Sequence, residues 1–367
     1  MEAAEAVARS SYGKLVAFLA ASANDVAAAE DALSEAFAAA LAEWPVHGVP
    51  DRPEAWLITV GRRKLIDAAR RRRTGREAMP HIELLRSELD EFAEASAVIP
   101  DHRLALMFVC AHRAIDPAVR APLMLQAILG LDAAAIASAF LTAPAAMGQR
   151  LVRAKSRIRL TGIPFRLPEP EDLAERLDAV LDAIYAAFTA GWNDPAGTEA
   201  RRHDLAEEAV FLGRLVVALL PDQPEALGLL ALMLYAEARR SARRTKGGDY
   251  VPLAEQDATC WDSARIREAE TILFRASALR ATGRFQLEAA IQSAHVVRRL
   301  TGRADWAAIE RLYDALVRLT GSPVAAINHA VAVAETRGAK DPTRNRCFTS
   351  VVAVISYSSI RRESRRV

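Results

Sequence analysis

Pro53-Glu-Ala-Trp-Leu-Ile-Thr-Val-Gly-Arg-Arg-Lys-Leu-Ile-Asp-Ala-Ala-Arg-Arg-Arg-Arg73 is the stretch on which the reading of this chain turns. Its first half is apolar nearly all round, with Trp56, Leu57, Ile58 and Val60, so a helix here has to pack among other helices. Its second half turns basic. Between Gly61 and Arg76, Arg62, Arg63, Lys64, Arg70, Arg71, Arg72, Arg73 and Arg76 face only Asp67. A basic last turn complements the helix macrodipole, but that needs far fewer bases. A polyanion is the better partner, with guanidinium groups set along its phosphates. Trp56 sits among aliphatic neighbours, where a tryptophan is more often core than a stacking platform for bases.

A second basic segment lies further along: Met147-Gly-Gln-Arg-Leu-Val-Arg-Ala-Lys-Ser-Arg-Ile-Arg159. It ends a run of short predicted helices at 101–114, 117–129 and 132–141, with Asp116 and Asp132 as N-caps and Thr142 capping the basic helix. Two short helices joined by a tight turn, the second basic, form the helix-turn-helix pattern. In that geometry Gln149, Val152 and Arg153 reach base edges: glutamine suits adenine, arginine guanine, and valine the thymine methyl. Arg150, Lys155, Arg157 and Arg159 read as phosphate clamps. A packed helical hairpin is the plainer alternative. The lack of any acid from Arg150 to Arg159 favours DNA.

Over 367 residues the net charge is only +2, which hides an acidic surface followed by a basic one. Up to Trp44, Glu2, Glu5, Asp25, Glu30, Asp31, Glu35 and Glu43 outnumber Arg9 and Lys14. Strand signals are almost absent and apolar residues recur at three and four, so the predicted fold class is all-α. A first domain at 1–76 holds helices at 3–21, 25–43 and 53–73, with a break at Trp44-Pro45. An acidic linker at 77–100 leads to a second domain at 101–160, and a Pro-rich linker follows at 161–170. From 171 to 338 come helix pairs, 171–190 with 199–219, 224–243 with 263–281 and 285–299 with 305–319, then 323–336, as in degenerate helical repeats. The tail at 339–367 is Ser-rich and β-prone and breaks the pattern, as a frameshifted or disordered end would.

Three scattered cysteines, no signal-peptide pattern and no long apolar run predict a cytoplasmic protein without a membrane span. No phosphate loop, dinucleotide motif or nucleophile elbow is present, so neither an enzyme nor a cofactor is expected. Cys110 and His112 fall on different helix faces and no second pair completes a metal site, so no metal is expected. Glu288, Gln292 and His295 share one face by i, i+4, i+7, and Gln256 and Asp257 lie in a long loop. They could line a polar pocket, though a solvated face is the commoner cause of such spacing.

Ala29-Glu-Asp-Ala-Leu-Ser-Glu-Ala-Phe37 and Arg52-Pro-Glu-Ala-Trp-Leu to Arg71 resemble domain 2 of the extracytoplasmic-function sigma factors. Met147 to Lys155 resembles the recognition helix of their domain 4. Glu225 to Leu234, Phe285 to Ile291 and Asp305 to Glu335 are similar to the helical-repeat extension of one subgroup. The resemblance implies a factor that docks on bacterial core RNA polymerase and recognises promoter DNA. Glu30, Asp31, Glu35 and Phe37 match the polymerase-binding helix. Arg62, Arg63, Lys64, Asp67, Arg70 and Arg71 fall in the helix that captures and melts the minus-ten element. Gln149, Arg150, Val152, Arg153, Lys155 and Arg157 would read or clamp the minus-thirty-five element. The repeats would receive a protein or small-ligand regulator. Two rivals remain: a helix-turn-helix regulator that acts without core polymerase, and a repeat scaffold whose basic helices bind an acidic protein.

Overall fold

The computed structural model describes residues 2–72, 99–140, 142–192, 200–245, 247, 249–253, 255–302 and 305–337. Nearly all of the acidic linker and the whole atypical tail lie outside these residues. Among the described residues every regular element is a helix, apart from one isolated bridge between Arg244 and Tyr250. The all-α expectation therefore holds. The chain divides into two compact units, Met1–Ala183 and Ile184–Val367.

The first unit begins with α1 (Glu2–Ala23), α2 (Val26–His47) and α3 (Pro53–Arg72). Asp25 caps α2, its carboxylate accepting from Ala28 N at 3.1 Å. Pro45 does not break α2. It falls in the last turn, where it removes only one ladder bond, and the helix runs on to Gly48, whose N–H donates to Trp44 O at 3.0 Å. Small residues on α2 (Ala29, Ala32, Ala36, Ala40) let α1 and α3 come close around Leu15, Leu19, Leu33, Leu57 and Ile58, all fully buried. Trp56 meets the buried Trp44 edge-on, with ring centroids 5.6 Å apart. It is a packing residue, as its aliphatic surroundings suggest.

Four more helices follow in the same unit: α4 (Arg103–Cys110), α5 (Pro117–Leu129), α6 (Ala133–Ala139) and α7 (Pro144–Thr161). Asp116 and Asp132 cap α5 and α6 through Ala118 N and Ala135 N, as their positions predict. The N-cap of α7 is Ala143 and not Thr142, with Pro144 supplying the first helical position. The 101–160 segment does not stand apart from the first three helices. α4 and α5 lie against α1, and α7 lies against α2. The approach is so close that a Cβ added to Gly13 would sit 1.9 Å from the Ile128 carbonyl oxygen. Helix α8 (Pro170–Trp192) closes this unit and runs into the next.

The second unit continues with α9 (Ala200–Leu219), α10 (Pro224–Glu237), α11 (Ser263–Ala278), α12 (Arg284–Thr301), α13 (Trp306–Thr320) and α14 (Pro323–Arg337). α10 is its axis: every residue from Ala226 to Glu237 is buried, and both α11 and α12 pack on it. Gly228 lies against the backbone of Gln286, and Glu225 accepts from Phe285 N at 2.9 Å and Gln286 N at 3.1 Å. That carboxylate replaces the N-cap that Gly283 cannot provide for α12. Between α10 and α11, Val251 N donates to Arg243 O at 2.7 Å and the buried Gln256 donates to Val251 O at 3.0 Å. Leu287, Ile291, Leu316 and Ala325 form a further cluster among α12, α13 and α14.

Two glycines separate tight packing from open surface. Gly13→Ala has to push α1 away from α5 and is expected to cost about 1–3 kcal/mol, the range for overpacking. Gly148 lies inside α7 with nothing within 4 Å of an added Cβ. Gly148→Ala is expected to stabilise by about 0.5–1 kcal/mol through helix propensity alone. Urea unfolding of the two variants checks both the signs and the contrast.

Candidate nucleic-acid interface

Along α3, the buried positions Leu57, Ile58, Gly61, Arg62, Leu65 and Ile66 form one stripe, and Arg63, Asp67 and Arg70 are exposed on the other side. Arg62, expected on the basic surface, is instead on the buried stripe. It is 3 % exposed, with its guanidinium carbon 4.6 Å from the centre of the Phe18 ring. Its place one turn after Ile58 turns it inward. Lys64 is half-buried and pairs with Glu35 of α2 at 3.0 Å. The backbone of Arg71 belongs to α3, but its side chain lies outside the described residues. Of the six expected minus-ten residues, the structure brings Arg63, Lys64, Asp67 and Arg70 to accessible positions.

Helix α7 also has two faces. Met147, Leu151, Ala154, Lys155 and Ile158 face inward, and Gln149, Arg150, Val152, Arg153 and Arg157 are exposed. Val152 is 64 % exposed. Arg153 lies back along the helix, its Nε donating to Gln149 O at 3.3 Å. Lys155 departs from expectation. It lies on the inner stripe, buried, and its ammonium group is ion-paired with Glu30 of α2. Arg159 forms a longer and more exposed pair with Asp25, at 3.7 Å. One expected DNA contact and one expected polymerase contact therefore satisfy each other inside the protein. Of the remaining polymerase candidates, Asp31 and Glu35 are exposed and Phe37 is half-buried.

Burial of the Glu30–Lys155 pair has an electrostatic cost. Desolvation pushes the Glu30 carboxyl above its ordinary 4.5; the Lys155 charge and hydrogen bond pull it back without cancelling the rise, and Asp31 and Asp25 add to it. Tyr12, half-buried near the same carboxylate, is also raised, first by burial and then by Glu30. At Asp101 burial pushes up, but the hydrogen bonds and charge of Arg103, 2.7 Å away, win and the carboxyl is lowered. Cys110 is fully buried and its thiol is raised chiefly by burial, while the half-buried His112 accepts from Ala114 N at 3.1 Å. Among the described residues no group of three or more His, Cys, Asp or Glu could hold a metal ion. No helix among them is long and apolar enough to cross a membrane.

In the second unit the expected polar face of α12 is held by partners: Glu288 accepts from Arg284 at 2.9 Å, Gln292 accepts from Arg239 at 2.6 Å, and His295 meets Trp306 edge-on. Of the two loop candidates, Gln256 is buried and Asp257 is exposed, capping a short 3-10 turn. Arg239 was not among the expected residues. Its place after the apolar run of α10 was the available signal.

Residues 7–74 match Sigma-70 region 2, a span that covers α2 and α3 and most of α1. Residues 176–277 match a Family of unknown function (DUF6596). An uncharacterized protein of Rhizobium meliloti (strain 1021) is 42 % identical over 316 residues, covering 84 % of this chain and 74 % of its own length. No solved structure matches the chain.

Lys155→Met leaves the Glu30 carboxylate buried without its counter-charge and is expected to cost about 3–5 kcal/mol, while Glu30→Leu/Lys155→Met recovers most of that loss. Thermal melting of the three proteins reads the pattern; equal losses in single and double variants would place the effect elsewhere. The pH dependence has a definite sign. Because the folded value of Glu30 is raised, the stability it contributes is full below 4.5 and is lost as pH rises through the folded value. Glu30→Gln, neutral throughout, is expected to lack that decline when melting is followed upward from pH 4.5.

Proposed function

This chain belongs to one family with the Rhizobium meliloti protein and carries the Sigma-70 region 2 of sigma-70 factors, and from that premise we propose that it is a promoter-specificity factor of the extracytoplasmic-function type. Sigma-70 region 2 implies binding to core RNA polymerase and to promoter DNA. The observation that carries the finer reading is the accessible basic face of α3 within the matched region: the exposed Arg63 and Arg70 and the half-buried Lys64, with Asp67 among them. Guanidinium and ammonium groups along one helix suit the phosphates of a strand whose bases are being unstacked. These four residues would capture the minus-ten element. Opening it costs a few kcal/mol per extruded base, which the phosphate contacts help to offset.

On this reading α6 and α7 act as a helix-turn-helix, with Gln149, Val152 and Arg153 toward base edges and Arg150 and Arg157 on phosphates. Lys155 is not in that set, because it is the inner anchor of α7. Core polymerase would meet α2 through Asp31, Glu35 and Phe37, since Lys155 covers Glu30. The protein would act as a binding factor and not an enzyme. The second unit would be the part through which a signal acts, a reading that rests on its separate core.

Run-off transcription with core polymerase, on fragments that include the gene's own upstream region, is the direct test. Discrete transcripts that depend on this protein are expected; core binding and transcripts both absent from correctly folded protein would favour a regulator that works without polymerase. Asp31→Arg/Glu35→Arg is expected to weaken core binding while leaving the melting temperature nearly unchanged. Arg153→Ala is expected to cost about 1–3 kcal/mol at one position of the upstream element, and equal loss on every sequence would make it a phosphate contact.

A further inference from the structure

Where α10 ends, Arg239, His295 and Arg298 gather, with Arg243 beside Arg239. Arg239, just past α10, is half-buried; its Nε donates to Tyr235 O at 3.1 Å and its Nη2 to Gln292 Oε1 at 2.6 Å. One turn further along α12 is His295, whose ring meets the Trp306 indole at 6.4 Å and 75°. Arg298 stacks on the same indole, 4.7 Å from its centre. Arg243 lies over the Tyr250 ring at 5.8 Å. All of these residues belong to the second unit.

The nearby carboxylates have other duties. Glu237 holds Arg240 at 2.5 Å and Arg265 at 3.4 Å, Glu288 holds Arg284, and Glu270 accepts from Ser293 at 2.7 Å. Among the described residues neither Arg239 nor Arg298 forms an ion pair. Arg239 spends its hydrogen bonds on neutral acceptors, which orient the guanidinium without neutralising it. His295 responds to this field: burial, then the charges of Arg239 and Arg298, lower it to about 4, so it is neutral at physiological pH and adds hydrogen-bonding capacity without charge. Holding partly desolvated cations together without a counter-charge is unfavourable, and an anion that binds there removes the penalty.

We propose that Arg239, Gln292, His295 and Arg298, backed by Trp306, form a binding site for a small anionic ligand bearing phosphate or carboxylate groups. The arrangement suits recognition of a compact anion. Arg239 is pre-oriented by its two neutral partners, Arg298 is steadied by the indole, and the imidazole lies within reach of both charges. The binding claim stands independently of any role in transcription. If the factor reading holds as well, this site is where a small molecule would act on the second unit.

Isothermal titration calorimetry of the full chain with inorganic phosphate, pyrophosphate and citrate tests the site. Saturable binding of at least one probe in the millimolar range or below is expected, with pyrophosphate over citrate indicating a phosphate ligand and the reverse a carboxylate. Arg239→Gln and Arg298→Gln are each expected to weaken it about tenfold or more. Because α3 and α7 also attract anions, Arg63→Gln/Arg153→Gln serves as the control and is expected to leave the affinity unchanged. If Arg239→Gln does not fold, Arg298→Gln carries the same test alone. Binding that none of the three probes shows, or that falls equally in the control, overturns the proposal. Run-off transcription with and without the tightest probe then reads regulation separately from binding.

Discussion

The backbone of Ile128 occupies the space that a side chain at position 13 would need, and the first unit is organised around that contact. With only hydrogen at Gly13, α1 approaches α5 to backbone distance. Gly130, just past α5, then lies against the Tyr12 ring. This seats the 101–160 segment on the matched Sigma-70 region 2, and with it α7 comes to rest along α2. The second unit uses the same device where Gly228 meets the backbone of Gln286, fixing α12 on α10. Dispersion and apolar burial fall steeply with separation, so two helices that touch at backbone distance bury their flanking side chains more completely than two held apart by a methyl group.

Helix placement was largely legible from the sequence, since aspartate caps and Pro or Gly punctuation are local signals. Asp25, Asp116, Asp132, Asp262 and Asp305 all cap helices through their own carboxylates. What was lost was the facing of individual bases. Charge alone is a poor sign of exposure, yet by charge Arg62 and Lys155 read as members of their basic runs. Helical register says otherwise: Arg62 follows Ile58 by four residues, and Lys155 follows Leu151 by four. Each is the charged member of an apolar stripe, and each found its compensation in a place that only tertiary packing defines, the Phe18 ring for one and Glu30 for the other. The cationic cluster of the second unit was half visible. Gln292 and His295 stood out by spacing, whereas Arg239 joins them only through the packing of α10 on α12.

The buried pair between α2 and α7 is not simply a stabilising bond. The raised carboxyl of Glu30 reflects burial first, with Asp31 and Asp25 adding to it, against the pull of Lys155. What the pair supplies is registry: of all the ways an amphipathic α7 could lie on Ala-rich α2, only those that bring ammonium to carboxylate avoid an unpaired buried charge. The same constraint sorts the helix into two faces, turning Gln149, Arg150, Val152, Arg153 and Arg157 outward.

Ionic strength acts on those two faces unequally. Mobile ions screen the exposed arginines, and any grip on a polyanion through them weakens steeply as salt releases less counterion entropy. The half-exposed contact between Arg159 and Asp25 lies within the same screened layer. The Lys155–Glu30 pair lies beneath it, largely withdrawn from solvent and screened far less. Raising salt therefore loosens the outer hold of α7 while its inner anchorage stays, so that one helix responds to its medium on one side and is insulated from it on the other.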